Sequence, residues 1–189
     1  MLAYVFWHRA GPDVAPDAYE AALARFHDRL RSSPPGGFVG SATLRAARLP
    51  WLAGGGPGYE DWYVIEDYAA LGVINAAAVA PANERAHRAA ASLMGEGTGG
   101  VYQLLDGRPS FAEVTEATWI APAPGPFSAL LDDFLADGID RDRASLWRRQ
   151  LALGPAPELC LLAGERSAGT RPTRLASGWS ERTDSRSPI

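Results

Sequence analysis

Residues 2–8 carry large side chains on both sides of an extended chain. Tyr4, Phe6 and His8 project to one side, Ala3, Val5 and Trp7 to the other. A strand with one face in water alternates apolar with polar residues, and this one does not. Burying each large apolar group is worth about 1.5–3 kcal/mol, so any sheet built on this strand must be covered on both faces. Helices can cover one face, and the other needs a second layer.

The chain that follows supplies the first cover. Gly11–Pro16 is turn-forming, and Pro16 and Asp17 suit the start of a helix. Tyr19, Leu23, Phe26 and Leu30 recur at threes and fours, which predicts a helix over 16–31. Pro34-Pro35-Gly36-Gly37 stops it. Phe38–Leu49 reads as a second strand, with Gly40 as a bulge or a close backbone approach. Residues 50–59 read as a hairpin connection, since Gly54-Gly55-Gly56 lacks the lysine and spacing of a phosphate loop. The third strand is Glu60–Asp67, rich in aromatic and β-branched residues. An alanine-rich helical tract over 68–94 breaks at Pro81, then come a turn at Gly95–Gly100 and a fourth strand at Val101–Leu105. The order β-α-β-β-α-β is ferredoxin-like: an antiparallel sheet with helices on one face.

The second layer is predicted from the rest of the chain. Phe111–Ile120 reads as a strand, Phe127–Ala136 as a helix, Ala144–Leu153 and Glu158–Ala163 as strands. This repeats the opening order without a final helix and strand. The predicted organisation is a ferredoxin-like half over 1–108, a truncated second half over 109–163, and a polar extension over 164–189 whose end is expected to be disordered. The predicted class is α+β, duplicated and packed sheet to sheet within one chain, with Trp119, Trp147 and Leu151 facing the first half.

Composition excludes some functions. Hydrophobic residues make up 47% of the chain, enough for a core. All 18 basic residues are arginine, which rules out Schiff-base and phosphate-loop lysines. The net charge of −4 gives no basic field for nucleic acid. Cys160 lies in an apolar run and reads as a buried thiol. Residues 1–7 lack the basic leader of a signal peptide, and no apolar run reaches the roughly 20 residues of a membrane span. A cytoplasmic monomer or homodimer is expected.

Among the histidines, no spacing matches a zinc motif. His27 and His87 read as boundary or solvated helix residues, with Glu84 placed to pair with His87 or Arg88. His8 closes the first strand and can exchange protons near neutral pH, so it is the candidate catalytic residue. In the usual 4-1-3-2 strand order its neighbours are Tyr59 or Asp61 rather than Glu66. Tyr4, Arg45, Arg148 and Gln150 are the candidate ligand-binding residues, because polar groups on predicted strands can face a pocket. Trp7, Trp62, Trp119 and Trp147 predict an aromatic-lined cavity or a plain hydrophobic seam. Asp132, Asp133, Asp140 and Asp142 fit no calcium loop.

The layout of Tyr4-Val5-Phe6-Trp7, the helix over 16–31, and Trp62-Tyr63-Val64-Ile65-Glu66 before a second helix resembles the dimeric α/β-barrel superfamily in its fused tandem form. That group includes cofactor-free monooxygenases, lactone isomerases, haem-binding enzymes, stress-response proteins and members of no known activity, so fold alone does not settle function. The resemblance implies an apolar pocket between the sheets that takes an apolar or aromatic small molecule, with monooxygenase-like or isomerase-like chemistry. The residues themselves call for no cofactor. The alternatives are a scaffold or interaction protein with a filled inter-sheet core, and a haem protein with His87 as axial ligand.

Overall fold

The computed structural model describes residues 1–53, 57–112, 114–120, 142–152, 158–164 and 181–184, with backbone alone for 152 and 181–184. The elements are β1 (Leu2–Ala10), α1 (Pro16–Ser32), β2 (Phe38–Ala46), β3 (Gly58–Ile65), α2 (Tyr68–Val79), α3 (Glu84–Ala91), β4 (Met94–Gly107), β5 (Glu116–Ile120), β6 (Ala144–Ala152), β7 (Leu159–Ala163) and β8 (Glu181–Asp184). The predicted helix over 127–136 and the glycines at 54–56 lie outside the described residues, as do Asp132, Asp133 and Asp140.

All the strands join one antiparallel sheet in the order β2-β3-β1-β4-β6-β7-β5-β8. The first four follow the ferredoxin-like order. The last four repeat it, with β5 to β8 in the places of β1 to β4. Strands β2 and β8 approach each other, so the sheet curls back on itself. The result is an α+β barrel whose two sheet halves face one another.

Two elements depart from the sequence reading. β8 lies within the stretch expected to be an extension and takes the place of the missing fourth strand. Its sequence, Glu-Arg-Thr-Asp, has no apolar alternation to announce it. The predicted turn at 95–100 is part of β4, paired with β1 through Phe6↔Gly99 and His8↔Gly97. Its glycines lie under the aromatic rings of β1.

Helices α1, α2 and α3 cover the outer face of the first half. α1 buries Tyr19, Leu23, Phe26 and Leu30 as the periodicity predicts, and His27 with them. Asp67 caps α2 by accepting from the Ala70 N–H at 2.9 Å. Pro81 falls between α2 and α3, as its missing N–H requires.

The inner face is a largely aromatic core. Ala3, Val5, Trp7, Trp62 and Val64 from the first half meet Ala117, Trp119, Trp147, Cys160 and Leu162 from the second. The Trp119 ring lies 5.2 Å from Trp7 and 5.9 Å from Trp62, and Trp62 lies 5.6 Å from Trp147. The expected inter-sheet pocket is therefore filled at these residues. Leu151 is exposed, contrary to expectation, because the pairing shifts between Val101↔Leu151 and Tyr102↔Arg149 and turns it outward. Burial and the neighbouring Glu60 push the Cys160 thiol well above its usual range.

Glu60 is the exception in this core. Its Oε1 accepts from Trp119 Nε1 at 2.6 Å and its Oε2 from Trp62 Nε1 at 3.2 Å. Burial pushes its carboxyl up to about 7, against the pull of the two indole donors.

Two outcomes are expected. Trp7→Asp should lower stability by more than ~3 kcal/mol or prevent folding, measured by urea denaturation. Glu60 keeps its proton in the folded state after the unfolded chain has released it, so its contribution is fully present below pH 4.5 and is lost as pH rises toward about 7. Between these limits wild type should lose roughly 3 kcal/mol relative to Glu60→Gln, read as the difference between their urea stabilities at pH 4.5 and pH 8.

Candidate active site between the sheet and its helices

The face of β1 opposite the tryptophans carries Tyr4, Phe6 and His8. On β3 the alternate residues Tyr59, Asp61 and Tyr63 share that face. Pairing sets His8 opposite Tyr59 and Phe6 opposite Asp61, so His8 is the diagonal neighbour of Asp61. Across from them α1 presents Tyr19 and His27, eight residues and about two helical turns apart. β2 adds Ser41 and Thr43.

These residues form one network around Asp61. Its Oδ1 accepts from Thr43 Oγ1 at 2.6 Å and its Oδ2 from Tyr63 Oη at 3.1 Å. His8 Nε2 lies 3.2 Å from Oδ2, and His27 Nε2 lies 3.2 Å from Oδ1. Each imidazole meets a hydroxyl through its other nitrogen: His8 Nδ1 and Tyr19 Oη are 2.7 Å apart, His27 Nδ1 and Ser41 Oγ 2.8 Å. His8 Nε2 is buried and its contact with Asp61 lacks hydrogen-bond alignment.

Burial alone would raise the Asp61 carboxyl. His8 and His27 outweigh it and hold the group well below the usual carboxylate range. Burial, and then the negative charge of Asp61, raise the phenols of Tyr4, Tyr19 and Tyr63, which stay neutral donors.

A cavity of about 720 Å³ lies over this network, between the sheet and the three helices. Tyr4, His8, Tyr19, Asp61 and Tyr63 give it a polar end, while Leu23, Phe26, Leu30, Leu71, Ile74 and Met94 make its wall apolar. An apolar chamber with a few convergent polar groups is what a small-molecule site requires.

Two of the sequence candidates meet here: Tyr4 and His8 both line the cavity. The others do not. Arg45 is bound to Glu20 on α1, with Nε–Oε1 at 2.6 Å. Arg148 pairs with Glu158 at 3.3 Å on the second half, and Gln150 is exposed. Arg45 shares the helix-facing side with Thr43 and Tyr59 but is held by Glu20 outside the cavity, and Arg148 and Gln150 lie on β6, away from its lining. His27, read from the sequence as a boundary residue, is 1% exposed. It falls one residue after Phe26, within the buried stripe of α1. Glu84 pairs with Arg88 at helical spacing, as one of its two expected partners.

His87 also borders the cavity, its ring 5.2 Å from Phe26. No arginine is among the described lining residues, while His87 is there as the axial ligand that a haem would need. Among the described residues no group of three or more His, Cys, Asp and Glu is placed to hold a metal ion. Among them, too, no helix is long and apolar enough to cross a membrane.

No protein-family profile and no curated protein matches the sequence. Solved structures do match in shape. A candidate monooxygenase from Fusobacterium nucleatum subsp. nucleatum superposes with a TM-score of 0.63 at 10% identity, over 100% of this chain and 95% of that one. An anthrone oxidase-like protein gives 0.57 at 7% identity, over 100% and 92%. A candidate chlorite dismutase gives 0.50 at 11% identity, over 88% and 81%. At these identities the likeness is one of fold, which the chain shares with the three structures.

Asp61→Asn is expected to destabilise the protein by about 3–5 kcal/mol, the cost of breaking a buried pair. Because Asp61 is ionised more readily folded than unfolded, its contribution is present above the unfolded value of 3.8 and is lost as pH falls below it. Acid unfolding followed by circular dichroism should therefore show a shallower dependence below pH 4 in Asp61→Asn than in wild type.

Proposed function

We propose that this chain is a small-molecule enzyme that removes a proton from a flat, apolar aromatic ligand held between the sheet and its helices. The observation that carries the reading is the chain of contacts from Tyr19 to His8 to Asp61 at the polar end of an otherwise apolar cavity. It follows the donor, base and orienting-acid logic of activated nucleophiles.

With Asp61 ionised, His8 carries its proton on Nε2 and offers Nδ1 to the Tyr19 hydroxyl. A ligand O–H or acidic C–H placed against Tyr19 gives its proton to the phenol oxygen as the phenol proton passes to His8 Nδ1. The ligand keeps the bonding electron pair and becomes a phenolate or enolate. His8 becomes an imidazolium, and Asp61 stabilises it without taking the proton. The apolar walls lower the local dielectric and so strengthen these interactions. The anion so formed can be reprotonated at another carbon, as in an isomerase, or react with dioxygen, as in a monooxygenase. The names of the structural neighbours, a candidate monooxygenase and an anthrone oxidase-like protein, favour the second course.

Exchange of the acidic C–H of anthrone into deuterated water, followed by proton NMR under nitrogen, isolates the proton step from any later oxidation. Wild type is expected to accelerate it, His8→Ala to lower the rate by about 10²–10⁴, and Arg148→Ala to leave it unchanged. Absence of exchange across anthrone, naphthols and related ketones, or exchange indifferent to His8→Ala, would reject the proposal. Oxygen uptake with the same ligands then separates the two outcomes for the anion.

A further inference from the structure

We propose that Gly97 and Gly99 on β4 determine which ligands the cavity admits, by letting the rings of Phe6 and Tyr4 lie flat on the strand. The inference rests on the cavity being the ligand site. Neither glycine has a positive φ, so the backbone does not require glycine at either position. What requires it is the space above. A Cβ on Gly97 would stand 2.5 Å from Phe6 Cζ and 3.1 Å from its Cε1 and Cε2. A Cβ on Gly99 would stand 2.7 Å from Tyr4 Oη and 2.9 Å from its Cε2. Carbon atoms do not approach so closely, so a side chain at either position must lift the ring above it.

Each ring has the strand on one side and the cavity on the other, and both rings line the cavity. A lifted ring therefore moves into the ligand space. The atoms met are ring tips, so a tilt suffices and the strand pairing is kept. Gly58 and Gly95 differ: a Cβ there would meet backbone, at 2.7 Å from the His8 carbonyl and 3.0 Å from Gly11 Cα. Those glycines serve the path of the chain, whereas Gly97 and Gly99 serve the chamber.

The rings they hold down form a floor. Tyr4 and Phe6 are 23° from parallel, and so are Phe6 and His8, with centroids 6.3 Å and 5.3 Å apart. A floor of this kind matches a fused-ring ligand whose reacting edge reaches Tyr19 and His8. Raising Phe6 would break that floor next to His8 and penalise wide ligands more than narrow ones.

The test uses the full chain and calorimetry under nitrogen with two probes, 1-naphthol and 1-hydroxypyrene. Wild type is expected to bind both. Gly97→Val and Gly99→Val are expected to lose about tenfold or more in affinity for 1-hydroxypyrene while 1-naphthol changes by less than about threefold. In the Phe6→Ala background Gly97→Val should no longer cost affinity for the larger probe, the double variant binding it as Phe6→Ala alone does. Gly97→Ala supplies a gentler displacement if valine prevents folding, with the same order of loss between probes. Equal effects on both probes, no effect, or a Gly97→Val loss that persists in the Phe6→Ala background, all in folded variants, would overturn the proposal while the cavity remains a binding site. Failure of wild type to bind either probe would instead reject the cavity as the ligand site, and this proposal with it.

Discussion

The structure depends on burying both faces of β1. Trp7, Val5 and Ala3 go into the seam between the two sheet halves, and Tyr4, Phe6 and His8 go under α1, α2 and α3. The two faces then serve different ends. The inner one is covered by side chains from β5, β6 and β7, whose rings and aliphatic groups meet those of the first half. The outer one is bridged by helices that stand off the sheet far enough to leave a chamber. A protein of this shape can be stabilised on one side of a strand and do chemistry on the other.

Within the chamber, Asp61 fixes the geometry. A buried carboxylate is tolerable only if its lone pairs are engaged and its charge is met. Four partners do this, drawn from β1, β2, β3 and α1. The network that satisfies Asp61 also places His8 beside it, so the candidate base is positioned by the folding requirement of its neighbour. Glu60, the preceding residue in β3, points to the other face and accepts from two indole donors. Adjacent acids are thus driven in opposite directions, one held ionised by imidazoles and one pushed up by burial.

Most of the architecture was legible in the sequence. The stripe Tyr19, Leu23, Phe26 and Leu30, the break at Pro81 and the two-faced strand each state a physical requirement that has few solutions. The strand order even placed Asp61 beside His8. What could not be read was which face of β1 would hold the open space. Alternation separates Tyr4, Phe6 and His8 from Val5 and Trp7, but side-chain size does not say which set meets a sheet and which meets helices. Of the ligand candidates on other strands, Arg45 is on the chamber's face but is taken by Glu20, and Arg148 and Gln150 belong to a strand the chamber does not reach. Tyr19 was visible only as a core residue, because its hydroxyl partner comes from a different element. Gly97 and Gly99 read as a turn for a similar reason: the rings that require them belong to a strand far away in sequence.

The packing of the inner face also gives the molecule an optical property. Trp7, Trp51, Trp62 and Trp119 are linked by ring separations between 5.2 and 5.9 Å. Indoles that close share their electronic excitation instead of absorbing independently, and several of these contacts cross from one sheet half to the other. The near-ultraviolet dichroism of this chain should therefore carry a coupled signal that reports barrel closure directly. It would weaken when the halves separate, even with every helix intact, leaving the Trp7–Trp51 contact within the first half.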